Sequence, residues 1–134
     1  MSEATYEGGC LCGAVRYRFS GPVMNTRLCH CRSCQKAMGS PFFARVLVPG
    51  GQIEIAGETA RHDTSAWLTR VFCPACGTRL FAQGLNDPPR LGVALATLDD
   101  PNAFAPECHI FVEDKLDWVV LSDGLPQYDQ RPPA

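Results

Sequence analysis

Eight of the 134 residues are cysteines, and seven of them lie in three short motifs. The motifs are a CxC pair, a CxCxxC triplet and a CxxC pair, formed in that order by Cys10 and Cys12, by Cys29, Cys31 and Cys34, and by Cys73 and Cys76. Thiolates at these spacings can face one metal ion, and CxxC followed by glycine is typical of a zinc knuckle. The eighth cysteine, Cys108, borders an apolar run and is interpreted as an ordinary core residue.

Zinc coordination suggests how these cysteines divide. A structural zinc usually takes four thiolates from two separate segments, whereas a catalytic zinc keeps three protein ligands and an open position. We prefer to join the CxC pair with the CxxC pair, because each is followed by glycine and borders a strong predicted strand. The triplet then stands alone, and its spacing leaves two alternatives about equally open. It is an open catalytic site, or a structural site with His30, Cys108 or another side chain as fourth ligand.

Disulfides and thiol redox chemistry explain the cysteines less well than metal binding. Disulfides would have to join different motifs, and no secretory signal indicates an oxidising compartment. A redox CxxC motif typically lies between a strand and a helix, whereas strands are predicted on both sides of this one. We therefore expect two zinc ions per chain. His30 should point away from the metal in an extended stretch, and His109 is either a satisfied histidine or a group aimed at the site.

Length, charge and hydropathy exclude several classes of protein. A chain of this length with 46% hydrophobic residues predicts one domain with its own core. Twelve basic residues against fourteen acidic ones, with scattered arginines, give no basic surface for nucleic acid or an anionic membrane. No apolar stretch is long enough for a membrane span, and residues 1–9 lack the features of a signal peptide. We expect a cytoplasmic protein whose partners include neither nucleic acid nor a membrane.

Alternating apolar and polar residues predict an all-β fold of small antiparallel sheets with very little helix. Strands are predicted at residues 15–19, 43–48, 52–55, 67–72, 79–82, 91–95, 110–112 and 118–121. The second and third of these should form a hairpin around Pro49-Gly50-Gly51, and the fourth and fifth a hairpin around the CxxC pair.

The remaining segments are predicted as one short helix, turns, a loop and a tail. Residues 33–38 are the best helix candidate, with Ser33 as the N-cap and Gly39 at the C-terminal end. Residues 86–89 have turn chemistry and residues 57–66 are polar enough for a surface loop, while residues 129–134 have no apolar period and are predicted as a tail.

Three cysteine-bearing segments and a closing pattern occur here in an order known from other proteins. The segments are residues 9–17 (GCLCGAVRY), 29–36 (CHCRSCQK) and 72–78 (FCPACGT). The closing pattern is His109-Ile110-Phe111 followed by Lys115, Trp118 and Leu125-Pro126. Together they resemble the glutathione-dependent formaldehyde-activating enzyme family, also called the CENP-V/GFA domain. The resemblance predicts a CENP-V/GFA-type zinc-binding domain over residues 1–128, followed by the tail at 129–134.

The resemblance implies a fold, two metal sites and an activity. The fold would be a small zinc-stapled "β-tent", with a structural zinc on the two pairs and a catalytic zinc on the triplet. The implied activity joins formaldehyde to the thiol of glutathione, giving S-hydroxymethylglutathione, and is a carbon–sulfur lyase reaction in reverse. Glutathione carries two carboxylates, for which Arg32, Lys36 and Arg45 are the candidate cations. A non-catalytic, zinc-stabilised binding module is the alternative function.

Overall fold

A computed structural model describes residues 4–86 and 88–133. Asp87 of the predicted turn and Ala134 of the predicted tail lie outside the described residues. The chain divides into two compact units. The first holds the described residues up to 25 together with residues 46–104, and the second holds residues 26–45 together with those from 105 onward.

Strands dominate the described residues, which confirms the predicted all-β class. In chain order they are β1 (Thr5–Gly9), β2 (Arg16–Ser20), β3 (Asn25–Cys29), β4 (Phe43–Pro49), β5 (Ile53–Ala56), β6 (Ala60–Ser65), β7 (Leu68–Phe72), β8 (Arg79–Gly84), β9 (Arg90–Ala94) and β10 (Cys108–Ile110). One α-helix, α1 (Arg32–Met38), and three 3-10 turns at Gly50–Gln52, Leu95–Thr97 and Val112–Asp114 complete the set. None of these helical segments is long and apolar enough to cross a membrane.

The first unit is built on antiparallel pairing. One sheet has the order β1-β2-β5, and β6 to β9 pair in the order β9-β8-β7-β6. In β2 the side chains of Tyr17 and Phe19 are buried in the core, while Arg16 and Arg18 reach Asp99 and Glu54 at the surface. The period-2 alternation therefore predicted this strand correctly. The hairpin around the CxxC pair is also confirmed, because β7 pairs with β8.

The predicted hairpin of residues 43–48 and 52–55 is wrong. β5 pairs with β2, whereas β4 lies in the sheet that contains β9. The Gly50–Gln52 3-10 turn redirects the chain, and the Gly50 N–H donates to the Pro89 carbonyl at 2.9 Å. The Gln52 amide donates to the Ser20 carbonyl at 2.8 Å, which ties the start of β5 to the end of β2.

The predictions for residues 57–66 and 118–121 are also wrong. Residues 57–66 are not a loop, because they contain β6, whose side chains are mostly exposed. Residues 118–121 are not a strand: the Val119 N–H donates to the Leu116 carbonyl in a turn, and the Lys115 ammonium donates to the Leu116 and Val119 carbonyls. Trp118 and Val120 consequently remain largely exposed.

The second unit contains the parallel pair of β3 and β10, with Cys108 opposite Arg27 and Ile110 opposite Cys29. This pairing corrects the expectation of purely antiparallel sheets, and β3 itself was not predicted. Helix α1 follows β3, and its N-cap is Cys31 rather than Ser33, because the Cys31 sulfur accepts the Cys34 N–H. Gly39 ends the helix in the left-handed region as predicted, with φ 58°.

The boundary between domain and tail at residue 128 stays a prediction. A backbone hydrogen bond crosses it, since the Phe111 N–H donates to the Gln130 carbonyl.

Gly57 is required by the connection from β5 to β6. Its φ is 101°, and a Cβ there would lie 2.1 Å from the Ala14 carbonyl oxygen. We expect Gly57→Ala to lower the free energy of unfolding by about 2–4 kcal/mol, because it adds backbone strain and a clash. Gly51→Ala is the matched control, since its Cβ would meet no atom within 4 Å. Urea denaturation measures both variants, and equal stabilities would contradict this account.

Candidate metal centres

The structure brings the CxC and CxxC pairs together in the first unit. The first pair lies between β1 and β2 and the second between β7 and β8. All four sulfurs lie within 4.8 Å of one another. The CxC pair lies in a turn, because the Gly13 N–H donates to the Cys10 carbonyl and Gly13 has φ 81°. The turn still directs both thiols to the same point.

The sulfur spacing of this four-cysteine group fits a tetrahedral metal ion. Sγ–Sγ distances are 3.6 Å between Cys10 and Cys12 and 3.8 Å between Cys12 and Cys73. Zinc–thiolate bonds of about 2.3 Å produce tetrahedral edges of about 3.8 Å. A disulfide would require about 2.05 Å, so these thiols are arranged for a shared ion.

Backbone and hydroxyl donors around this group favour the thiolate forms of Cys10 and Cys76. The Val15 N–H donates to Cys10 Sγ at 3.2 Å, and this hydrogen bond lowers the pKa of Cys10. The Thr78 hydroxyl lies 3.1 Å from Cys76 Sγ, and its hydrogen bond is the main cause that lowers the pKa of Cys76 to about 5. The same Thr78 oxygen accepts the Leu11 N–H from the opposite turn. Thr78 therefore links the two knuckles.

The triplet gathers in the second unit, where β3 ends and α1 begins. Cys29, Cys31 and Cys34 have their sulfurs within 4.8 Å of one another, and the Sγ–Sγ distance from Cys29 to Cys34 is 3.5 Å. Hydrogen bonding with the thiols of Cys31 and Cys34, followed by burial, raises the pKa of Cys29 well above its ordinary value. Three crowded sulfurs of this kind are accommodated as thiolates when a cation lies among them. The donor set therefore also fits zinc.

The described residues add no fourth cysteine, histidine or carboxylate to the triplet. His30 and Cys108, the fourth ligands considered from the sequence, are not in the group. The Cys108 side chain is buried in β10. His30 is fully buried, and its Nε2 lies 2.9 Å from Nδ1 of His109, whose Nε2 lies 2.7 Å from Asp123 Oδ2.

The three candidate cations occupy two places in the second unit. Arg32 and Lys36 lie on an exposed face of α1 and line an open groove of about 450 Å³ together with Leu116 and Trp118. Arg45 on β4 is half-buried, and burial lowers the pKa of its guanidinium while the charges of the Cys29 and Cys34 thiolates oppose that shift. Arg45 therefore lies within electrostatic range of Cys29 and Cys34.

Several residues near the triplet were missed by the sequence reasoning. Arg27 and Arg131 lie close enough to Arg45 for their charges to influence its pKa. Gln35 is buried in α1 next to Cys34, and its amide donates to two backbone carbonyls, those of His30 at 2.7 Å and Asp114 at 2.9 Å. Arginines and glutamine are common surface residues, so only the folded positions distinguish these from the rest.

Known proteins are similar to this chain in sequence. The family model described as "Glutathione-dependent formaldehyde-activating enzyme" matches residues 5–114. A Halomonas elongata protein named "Putative glutathione-dependent formaldehyde-activating enzyme" is 30% identical over 131 residues, covering 86% of this chain and 80% of the relative. An Aspergillus flavus protein of the same name is 30% identical over 99 residues, or 68% of this chain and 52% of the relative.

A shorter match and a solved structure extend this comparison. A Schizosaccharomyces pombe protein named as an uncharacterized lyase is 30% identical over 76 residues, 57% of this chain and 56% of the relative. This chain therefore spans about half the length of the two fungal relatives. A crystal structure of a Rhodobacter sphaeroides protein has a TM-score of 0.57 and 19% identity, covering 91% of this chain and 98% of that one. That likeness shows a shared fold.

The family match includes all seven motif cysteines, which the structure gathers into one group of four and one of three. The chain belongs to the glutathione-dependent formaldehyde-activating enzyme family.

Proposed function

We propose that this chain is a zinc-dependent carbon–sulfur lyase that makes and breaks the thiol adduct of formaldehyde, with glutathione or a related thiol as the thiol partner. The observation that carries the proposal is the triplet, a group of three protein thiols to which the described residues add no fourth ligand. The family match and the names of the relatives support the reaction class.

We assign a structural zinc to the four-cysteine group and a second zinc to the triplet. Four thiolates complete a tetrahedral shell, so the first site is closed and contributes to folding. Zinc on three thiolates supplies a Lewis-acid position that lowers the pKa of an incoming thiol or polarises a small carbonyl. The side chains of the protein must then bind and orient an anionic thiol and balance its negative charge.

The chemistry needs no oxidant or reductant. In the forward direction the thiol sulfur bonds to the carbonyl carbon of formaldehyde, the carbonyl π electrons move to oxygen, and the thiol proton is transferred to that oxygen. In reverse the carbon–sulfur bond breaks and the proton returns to sulfur. The protein's part is to hold the sulfur beside the carbon, so that a bimolecular step occurs within one complex.

Charge around the triplet favours an anionic thiol substrate. Three thiolates and one divalent cation have a net charge of about -1, and a further thiolate would add to it. Arg45 interacts with Cys29 and Cys34, with Arg27 and Arg131 in range, so this region is rich in positive charge. We assign the carboxylates of the substrate to Arg45, and to Arg32 and Lys36 in the groove on α1.

Trp118 makes the groove on α1 suitable for an organic ligand rather than a bare anion. Its side chain is 69% exposed and lines the groove together with Leu116, Arg32 and Lys36. An indole beside two cations provides an apolar wall for the peptide part of glutathione and charge for its carboxylates.

Catalysis of adduct exchange is the direct test. Exchange spectroscopy by NMR on a formaldehyde–glutathione mixture should show a rate that rises in proportion to protein concentration. Cys31→Ser removes one thiol of the triplet and should reduce the protein-dependent rate at least about tenfold. Cys108→Ala, outside both groups, should keep the rate within about twofold. An exchange rate that is unchanged by the protein would instead support the non-catalytic binding module.

Metal content separates the two proposed zinc sites. We expect two zinc ions per chain in the wild type and one in Cys34→Ser, measured by elemental analysis after gel filtration. Cys73→Ser should also lose one zinc, and in addition lower the thermal midpoint of unfolding substantially, since a closed zinc site contributes folding free energy. Equal zinc content in all three proteins would contradict the assignment.

The role of Arg45 is tested by comparing two thiols. Arg45→Gln should raise KM about tenfold for glutathione, because a hydrogen bond between charged groups contributes about 1.5–3 kcal/mol. KM for 2-mercaptoethanol, which has no carboxylate, should change by less than about threefold. Arg90→Gln makes the same charge change on an exposed residue of β9 and serves as the control. Equal effects on the two thiols would exclude carboxylate recognition by Arg45.

A further inference from the structure

A buried chain of polar side chains connects the surface to the residue between two triplet cysteines. Asp123, whose side chain is 42% exposed, lies 2.7 Å from Nε2 of His109, and His109 Nδ1 lies 2.9 Å from Nε2 of His30. Both histidines are almost completely buried. None of these three residues has a place in the proposed reaction, so a polar chain in such surroundings needs another explanation.

The carboxylate determines the direction of every hydrogen bond in this chain. The Leu125 N–H, and then His109, lower the pKa of Asp123, so its carboxylate is ionised and only accepts. His109 must then carry a proton on Nε2, which leaves Nδ1 of a neutral ring as the acceptor. His30 accordingly donates through Nε2–H, and its Nδ1, which has no hydrogen-bond partner, is a bare lone pair.

The opposite direction is less favourable. If His109 carried protons on both nitrogens, it would donate to His30 Nε2, and His30 Nδ1 would hold a buried N–H without a partner. Buried N–H groups without partners are rarer in proteins than unsatisfied acceptors.

Hydrogen bonds hold the backbone of His30 as well as its ring. Its N–H donates to the Ile110 carbonyl at 3.0 Å, and its carbonyl accepts the Gln35 amide at 2.7 Å. His109 is held in turn, since its N–H donates to the Pro126 carbonyl and its carbonyl accepts the Tyr128 N–H. The peptide groups of His30 join Cys29 to Cys31, so whatever holds His30 limits where those two sulfurs can lie.

We infer that Asp123, His109 and His30 are positioning residues for the triplet, acting by holding the backbone that joins Cys29 to Cys31. This inference rests on the proposed function only in its use of the triplet as a metal site. The ring hydrogen bonds orient His30 from one side, and the Gln35 amide holds its carbonyl from the other. Asp123 lies in a surface turn, and it influences the positions of the thiols through His109 and His30.

The first test is metal affinity at the triplet. In protein with zinc in the four-cysteine group, cobalt is titrated into the triplet against a chelator and followed by thiolate-to-cobalt absorption. Asp123→Ala should weaken binding by about 10–100-fold, the range observed for residues that orient metal ligands. Asp123→Asn keeps one acceptor oxygen for His109 but places an NH₂ group against the Leu125 N–H, so it should weaken binding less than Asp123→Ala does. Asp117→Ala removes an exposed carboxylate of the same unit and is the matched control.

The second test needs no metal at the triplet. Hydrogen exchange of the His30 amide should be about tenfold faster in Asp123→Ala than in the wild type, and unchanged in Asp117→Ala. Long-range proton–nitrogen NMR should show His30 protonated at Nε2 and bare at Nδ1. If the wild type binds no cobalt at the triplet, the proposed function fails while these two measurements still decide the positioning role. Unchanged exchange in Asp123→Ala, or a proton on His30 Nδ1, would overturn it.

Discussion

The crowding of thiols is the constraint on which the other features of the site depend. Seven cysteines gather into two groups in which all sulfurs lie within 4.8 Å of one another and three Sγ–Sγ distances are 3.5 to 3.8 Å. At such distances several thiolates repel one another strongly, and this repulsion is relieved when a shared cation balances their charge. The surrounding N–H and hydroxyl donors, from Val15, Cys34 and Thr78, are placed to support that charged form.

The two groups meet this constraint in different surroundings. The four-cysteine group lies in two tight turns at the ends of antiparallel strand pairs, where Thr78 joins one turn to the other. Four thiols are the number that a closed structural zinc site uses, and such a site contributes to folding. The triplet lies where a strand passes into a helix, with Arg45 in electrostatic contact and a groove on the same helix. A group with one ligand fewer and cations around it is suited to binding an anionic sulfur.

The sequence predicted features that neighbouring residues determine better than features that depend on residues far apart in the chain. Motif spacing predicted that the thiols within each motif face one point, because two or three residues determine where such thiols point. The joining of the CxC pair with the CxxC pair was instead preferred on their glycines and neighbouring strands. Alternation predicted β2 because one of its faces is buried. β6 was not predicted, because an exposed strand has no hydrophobic period. The β4–β5 hairpin was wrong because Gln52 bonds to a carbonyl 32 residues away. His30 and His109 are 79 residues apart, so the sequence around either residue does not indicate that their side chains pair.

The short helix explains why the triplet and its surroundings must form together. A helix of seven residues is unstable alone, since nucleation fixes several residues for few hydrogen bonds. Here its N-cap is the Cys31 sulfur, which accepts the Cys34 N–H and belongs to the triplet at the same time. Gln35, in the middle of the helix, binds the carbonyls of His30 and Asp114. The helix therefore needs the site for its cap, and the site needs the helix for Cys34, so loss of either removes the support of the other.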